Sequence, residues 1–85
     1  MKLVESTEEG GLVSLLGESV MIFCVNYIYA GTLSGVNSTC IQLKDPKIVY
    51  ETGSFSDKGY KDAQSLPTSL WYIQISSIES FGLGK

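Results

Sequence analysis

The run "NYIYAGTLSGV", residues 26–36, constrains the fold more than any other stretch of the chain. Tyr27, Tyr29, Gly31 and Leu33 alternate with Ile28, Ala30 and Thr32, which is the two-residue period of a strand. A glycine inside such a pattern marks a bend, a bulge or the close approach of another backbone. A small sheet that curls toward closure needs a bend of this kind. "GVNST" follows as a tight turn, with Asn37 suited to a positive φ. The reading is a strand that bends and then reverses.

Other runs extend this β pattern. "SVMIFCV" before it is β-branched and aromatic, and "TCIQL" after it is a third strand. Pro46 interrupts the third strand, because proline cannot sit in a central ladder; "KIVYET" then resumes it. Residues 52–69 are polar and carry Gly53, Gly59 and Pro67, so they read as a long loop. A short helical turn within "DKGYKDAQ" is weakened by Gly59. "SLWYIQIS" and "SIESFG" supply the last two strands. Near the start, Leu12, Leu15 and Leu16 share one face of a short helix that Gly17 is placed to end. Residues 1–10 are polar and acidic and read as a flexible arm. The expectation is an all-β domain over 11–85: a short N-terminal helix and a small, strongly bent five-stranded barrel. Closure is the usual remedy for exposed edges in so short an all-β chain.

Eighty-five residues make one domain with a thin core. Such domains often gain stability from disulfides, a metal or oligomerisation. Cys24 and Cys40 are too few for a disulfide framework, and both sit in apolar runs, as free buried cysteines do. A single bridge between them is the alternative. The chain has no histidine, which excludes a mixed cysteine–histidine zinc site. No metal or cofactor is expected, and oligomerisation is the favoured source of extra burial.

The residues from Val20 to Asp45 resemble the first motif of the Sm-like family. That motif is an apolar strand, then aromatic-x-Gly-x-Leu-x-Gly, then a second apolar strand ending in an acidic turn. Here the register is Tyr29-x-Gly31-x-Leu33-x-Gly35. "LVSLLGESV" resembles the family's N-terminal helix and "WYIQISSIESFG" its second motif. Residues 52–69 fall where the family carries a variable loop between strands three and four. The likeness spans about three quarters of the chain. The chain as a whole also looks like short proteins encoded by phages and prophages, which suggests an origin and no activity.

The resemblance implies a five-stranded SH3-like barrel and a homo-oligomeric ring. In such a ring, strand four of one subunit pairs with strand five of the next. Trp71, Tyr72, Ile73, Ile78 and Phe81 would bury at that seam. It also implies RNA or nucleotide binding at the pore. The family's RNA site combines an Asp and an Asn with an Arg-Gly pair. Asn37 stands in the Asp place, Cys40 falls near the Asn place, and Gln74 and Ile75 fall near Arg-Gly. The lysine–histidine pair found in the family's bacterial RNA chaperone has no counterpart here. The family's charged recognition groups are therefore missing.

In the ring reading, the polar set Asn37, Ser38, Thr39, Gln74, Ser76 and Ser77 meets at the pore. Such uncharged groups read a base edge without needing phosphate charge. The plainer alternative is that they satisfy their own turns. Lys58, Tyr60 and Lys61 form a second candidate, a stacking and phosphate-binding patch in the long loop.

Charge weighs against polynucleotide. The net charge is −3, and all six positive residues are lysine. Dense positive charge and arginine forks are what phosphate recognition uses. Without histidine or arginine, Ser-His-Asp and Cys-His sites are impossible within one chain. The pairs Asp57/Asp62 and Glu8/Glu9 read as solvated, so the chain is read as no enzyme. Two classes remain: a ring binding RNA or a nucleotide, and a phage-encoded interaction protein that engages a host protein or sequesters a ligand. Residues 1–10 do not resemble a signal peptide. The longest apolar run contains Asn26 and is too short for a bilayer. The expected place is the cytoplasm, that of the host if phage-encoded, with no membrane partner.

Overall fold

The computed structural model describes residues 11–85. The arm at 1–10 and the pair Glu8/Glu9 lie outside the described residues. The described chain is mostly β, in one antiparallel sheet of six strands that does not close. Its strands are β1 (Ser19–Cys24), β2 (Ile28–Val36), β3 (Cys40–Glu51), β4 (Asp62–Ser65), β5 (Leu70–Gln74) and β6 (Ile78–Leu83). The sheet runs β4-β3-β2-β1-β6, and β5 joins it on β3.

The N-terminal leucines form a 3-10 turn, Gly11–Leu15, and not an α-helix. The spacing explains the difference. Leu12 and Leu15 pack against the core while Leu16 stays 44% exposed. Residues three apart stack on one face of a 3-10 turn, so two leucines suffice. Gly17 ends the turn at φ +86°, and its N–H donates to the Leu33 carbonyl at 2.7 Å.

Gly31 is a place of close approach. A Cβ built there would lie 3.0 Å from the Lys44 carbonyl oxygen. The pairing slips at this point: Ala30 faces Lys47 and Thr32 faces Lys44, so Asp45 and Pro46 together oppose Gly31. This is a β-bulge, which bends a strand and sharpens its twist. Asp45 takes the left-handed conformation at φ +51°, alone among the described non-glycine residues. Asn37 does not adopt a positive φ, contrary to the expectation.

Pro46 therefore does not split the third strand. Strand β3 runs through it for 12 residues and changes partner there. Residues 40–44 pair with β5, and residues from Lys47 to Glu51 pair with β4, on the same edge. The missing proline N–H costs no ladder bond at a point where the ladder changes strand. The connection between β4 and β5 uses the bulge's remaining groups. Asp45 N–H donates to the Ser69 carbonyl, and the Pro46 carbonyl accepts from Leu66 N–H, both at 2.9 Å.

The strand count thus exceeds the expected five by β4, which lies inside the supposed 52–69 loop; no helical turn forms over 57–64. The sheet curls around Val20, Ile22, Leu33, Ile41, Leu43 and Ile73, each 5% exposed or less. Cross-strand partners share a face, which is how Leu33–Leu43 and Ile41–Ile73 meet. Among the described residues no helix is long and apolar enough to cross a membrane.

Candidate functional site

The hairpin turn at 37–39 and the 3-10 turn Ile75–Ser77 lie side by side, tied by Ile75 N–H donating to the Thr39 carbonyl at 2.9 Å. Between them opens a groove of about 830 Å³, lined by Ser38, Thr39, Cys40, Tyr72, Gln74, Ile75 and Ser76. A second groove, about 440 Å³, lies along β5 and the β1–β2 turn. It carries four aromatic residues, Tyr27, Tyr29, Trp71 and Tyr72, with Asn26, Gln74, Ser76 and Ser77. Tyr72, Gln74 and Ser76 line both grooves.

Neither groove has a charged lining residue. In a chain with six lysines and nine acidic residues, this is the main chemical character of the region. Burial pushes the Tyr29 phenol above its ordinary value, with smaller upward contributions from neighbouring Cys24 and Tyr27. Burial also pushes the Cys24 thiol up, which disfavours the reactive thiolate. Cys24 and Cys40 are both free and half-buried.

Of the sequence-derived polar set, Ser38, Thr39, Gln74 and Ser76 come together, and Ser77 lies in the adjoining groove. Asn37 does not join them. Its Oδ1 accepts from Thr39 N–H and Cys40 N–H, both at 2.8 Å, and from the Thr39 hydroxyl at 3.1 Å. Those bonds make an Asx turn, and the carbonyl is spent on its own hairpin. Asn37→Ala is therefore expected to lower stability by about 1–2 kcal/mol, the range for losing such a capping acceptor. Asn37→Asp keeps the acceptor and should retain most of it. Urea denaturation of the two variants checks this, and equal loss in both would refute the turn role.

Tyr72, which the resemblance places at the seam, also lines both grooves, a position the sequence reading does not assign it. Its hydroxyl accepts from Gln42 Nε2 at 2.7 Å, and Gln42 Oε1 accepts from the Ser34 hydroxyl at 2.9 Å. This chain fixes the Tyr72 ring between the grooves. The signal was available as the outward-facing residues of β2, β3 and β5. Among the other proposed seam residues, Ile73 belongs to the core, Trp71 and Ile78 pack against it, and Phe81 is 40% exposed. Of the loop patch, Tyr60 and Lys61 line a groove of about 400 Å³ with Lys47 and Asp62. Lys61 also pairs with Glu51 at 3.3 Å, the Tyr60 ring lies beside Lys85 Nζ, and Lys58 is exposed.

Compared with family models, curated proteins and solved structures, the chain matches none.

Proposed function

We propose that this chain is a non-enzymatic, Sm-like protein that assembles into a homo-oligomeric ring and binds RNA or a small nucleotide through its bases. The observation that carries the binding half is the pair of uncharged grooves meeting at Tyr72, Gln74 and Ser76. A nucleobase offers donors, acceptors and a π face without charge. Hydroxyl and amide groups beside aromatic rings are the matching set. Phosphate finds no partner in these linings.

Two features support the Sm-like ring. The order β5, 3-10 turn, β6 matches the strand, short turn and strand that the resemblance gives for the second motif. The outer edges of β5 and β6 carry no pairing among the described residues, and unpaired edges invite another strand. Head-to-tail pairing of two different edges closes into a ring when rotation permits. Exposed Tyr72, Phe81 and Leu83 lie on these two strands.

Native mass spectrometry of protein purified without nuclease reads subunit number and retained ligand together. Titration with short uridine- or adenine-rich RNA and with free nucleotides reads affinity. Gln74→Ala is expected to weaken base binding by about 1–3 kcal/mol, the cost of an unpaired polar group. The affinity should depend weakly on salt, because few lysines displace counterions. No affinity for RNA or nucleotides at low salt would end this reading.

The net charge of −3 and the lack of arginine favour a second reading, an interaction protein of phage origin that binds a host protein. It predicts no RNA binding and a protein partner recovered through residues 52–69.

A further inference from the structure

Lys85 follows β6, and its side chain turns back over the segment 52–60. Its Nζ donates to the backbone carbonyls of Thr52 at 2.5 Å, Ser54 at 2.7 Å and Gly59 at 3.0 Å. A lysine ammonium has three N–H donors and no acceptor, so these three carbonyls satisfy it completely. The same Nζ lies 5.2 Å from the Tyr60 ring centroid and 5.7 Å from that of Phe55. Both distances fall within the range of attraction between a cation and an aromatic face. Phe55 is 69% exposed. A phenylalanine so exposed gains little from burial, and the ammonium beside it supplies a reason for its place.

The cage is built by its own loop. The Thr52 carbonyl also accepts from Lys61 N–H at 3.4 Å, and the Ser54 carbonyl from Asp57 N–H at 3.0 Å. The Ser54 hydroxyl bonds the Ser56 hydroxyl at 2.8 Å and accepts from Ser56 N–H at 3.3 Å. The Tyr60 hydroxyl accepts from Lys85 N–H at 3.4 Å, which anchors the incoming chain. Two of the three carbonyls, those of Thr52 and Ser54, are thus held in place by bonds that do not involve the ammonium.

We propose that residues 52–60 form a receptor for a primary alkylammonium group, filled within this chain by the Lys85 side chain. The inference is independent of base binding. Three convergent carbonyls and two ring faces fit –NH3⁺. A planar guanidinium offers its donors in one fixed fork, where an ammonium offers three protons that rotate together onto the carbonyls. A quaternary ammonium keeps the charge and loses every donor.

The test is chemical rescue. Lys85 lies beyond the last strand and outside the core, so Lys85→Ala is expected to fold. Amide exchange at Asp57 and Lys61 should then quicken by about tenfold or more, since charge-assisted bonds of this kind are lost. Millimolar n-butylammonium should restore protection, while tetramethylammonium at matched ionic strength should not. Lys85→Arg should give only partial protection. Unchanged exchange in Lys85→Ala would overturn the proposal. Equal rescue by tetramethylammonium would also overturn it, because charge alone would then suffice.

Discussion

Gly31→Val is expected to lower stability by about 2–3 kcal/mol, the scale of forced overpacking. Valine is a better strand former than glycine, so propensity argues for the opposite sign. Space decides against it. The new Cβ would lie 3.0 Å from the Lys44 carbonyl oxygen and 3.4 Å from Pro46 Cα. Both are backbone atoms and cannot rotate aside. Relief requires opening the bulge at Asp45 and Pro46, where β3 passes from β5 to β4. Gly35 provides the comparison within the same motif. Its nearest neighbours are Gln42 side-chain atoms, the closest at 3.4 Å, an ordinary contact. Gly35→Ala should stay within about 1 kcal/mol of the parent. Urea midpoints of the two variants measure the difference. Equal losses would show that the close approach at Gly31 is not what selects glycine.

The bend at Gly31 could be read from the sequence because a missing side chain in an alternating run has few explanations. Its partner could not. Asp45 and Pro46 look like the end of a strand when judged by propensity. They form the middle of one because the proline sits where β3 changes neighbours. Strand β4 was hidden for a related reason. Of Asp62, Ala63, Gln64 and Ser65, only Ala63 is as much as half-buried. A strand that buries neither face leaves no alternation to detect, and its pairing comes from the free edge of β3. The site was visible in part. Short polar turns announced Ser38, Thr39, Ser76 and Ser77. Whether Asn37 faced a ligand or its own hairpin depended on a side-chain rotation that residue type does not specify. The Lys85 cage depended on contacts between residues 25 or more positions apart, and nothing local marks them.

Ile73→Ala is expected to cost about 2–4 kcal/mol, as removal of a buried isoleucine does. For a domain of 85 residues, total stability is on the order of 5–10 kcal/mol, so much of the margin would go. The reason is the alternation along β5. Leu70, Tyr72 and Gln74 are exposed, while Ile73 is 5% exposed and sits opposite Ile41 in the core. In the proposed ring, Tyr72, at 59% exposure, is the neighbour whose side chain would meet another subunit. If the ring forms, the two positions separate folding from assembly. A core loss shifts the denaturation midpoint equally at every protein concentration. A seam loss shifts it by an amount that depends on concentration, because assembly is linked to folding by mass action. Ile73→Ala should show the first behaviour and Tyr72→Ala the second. If Ile73→Ala left the protomer's stability intact and changed only the subunit count, the core assignment of Ile73 would fall. The seam would then run through the inner face of β5.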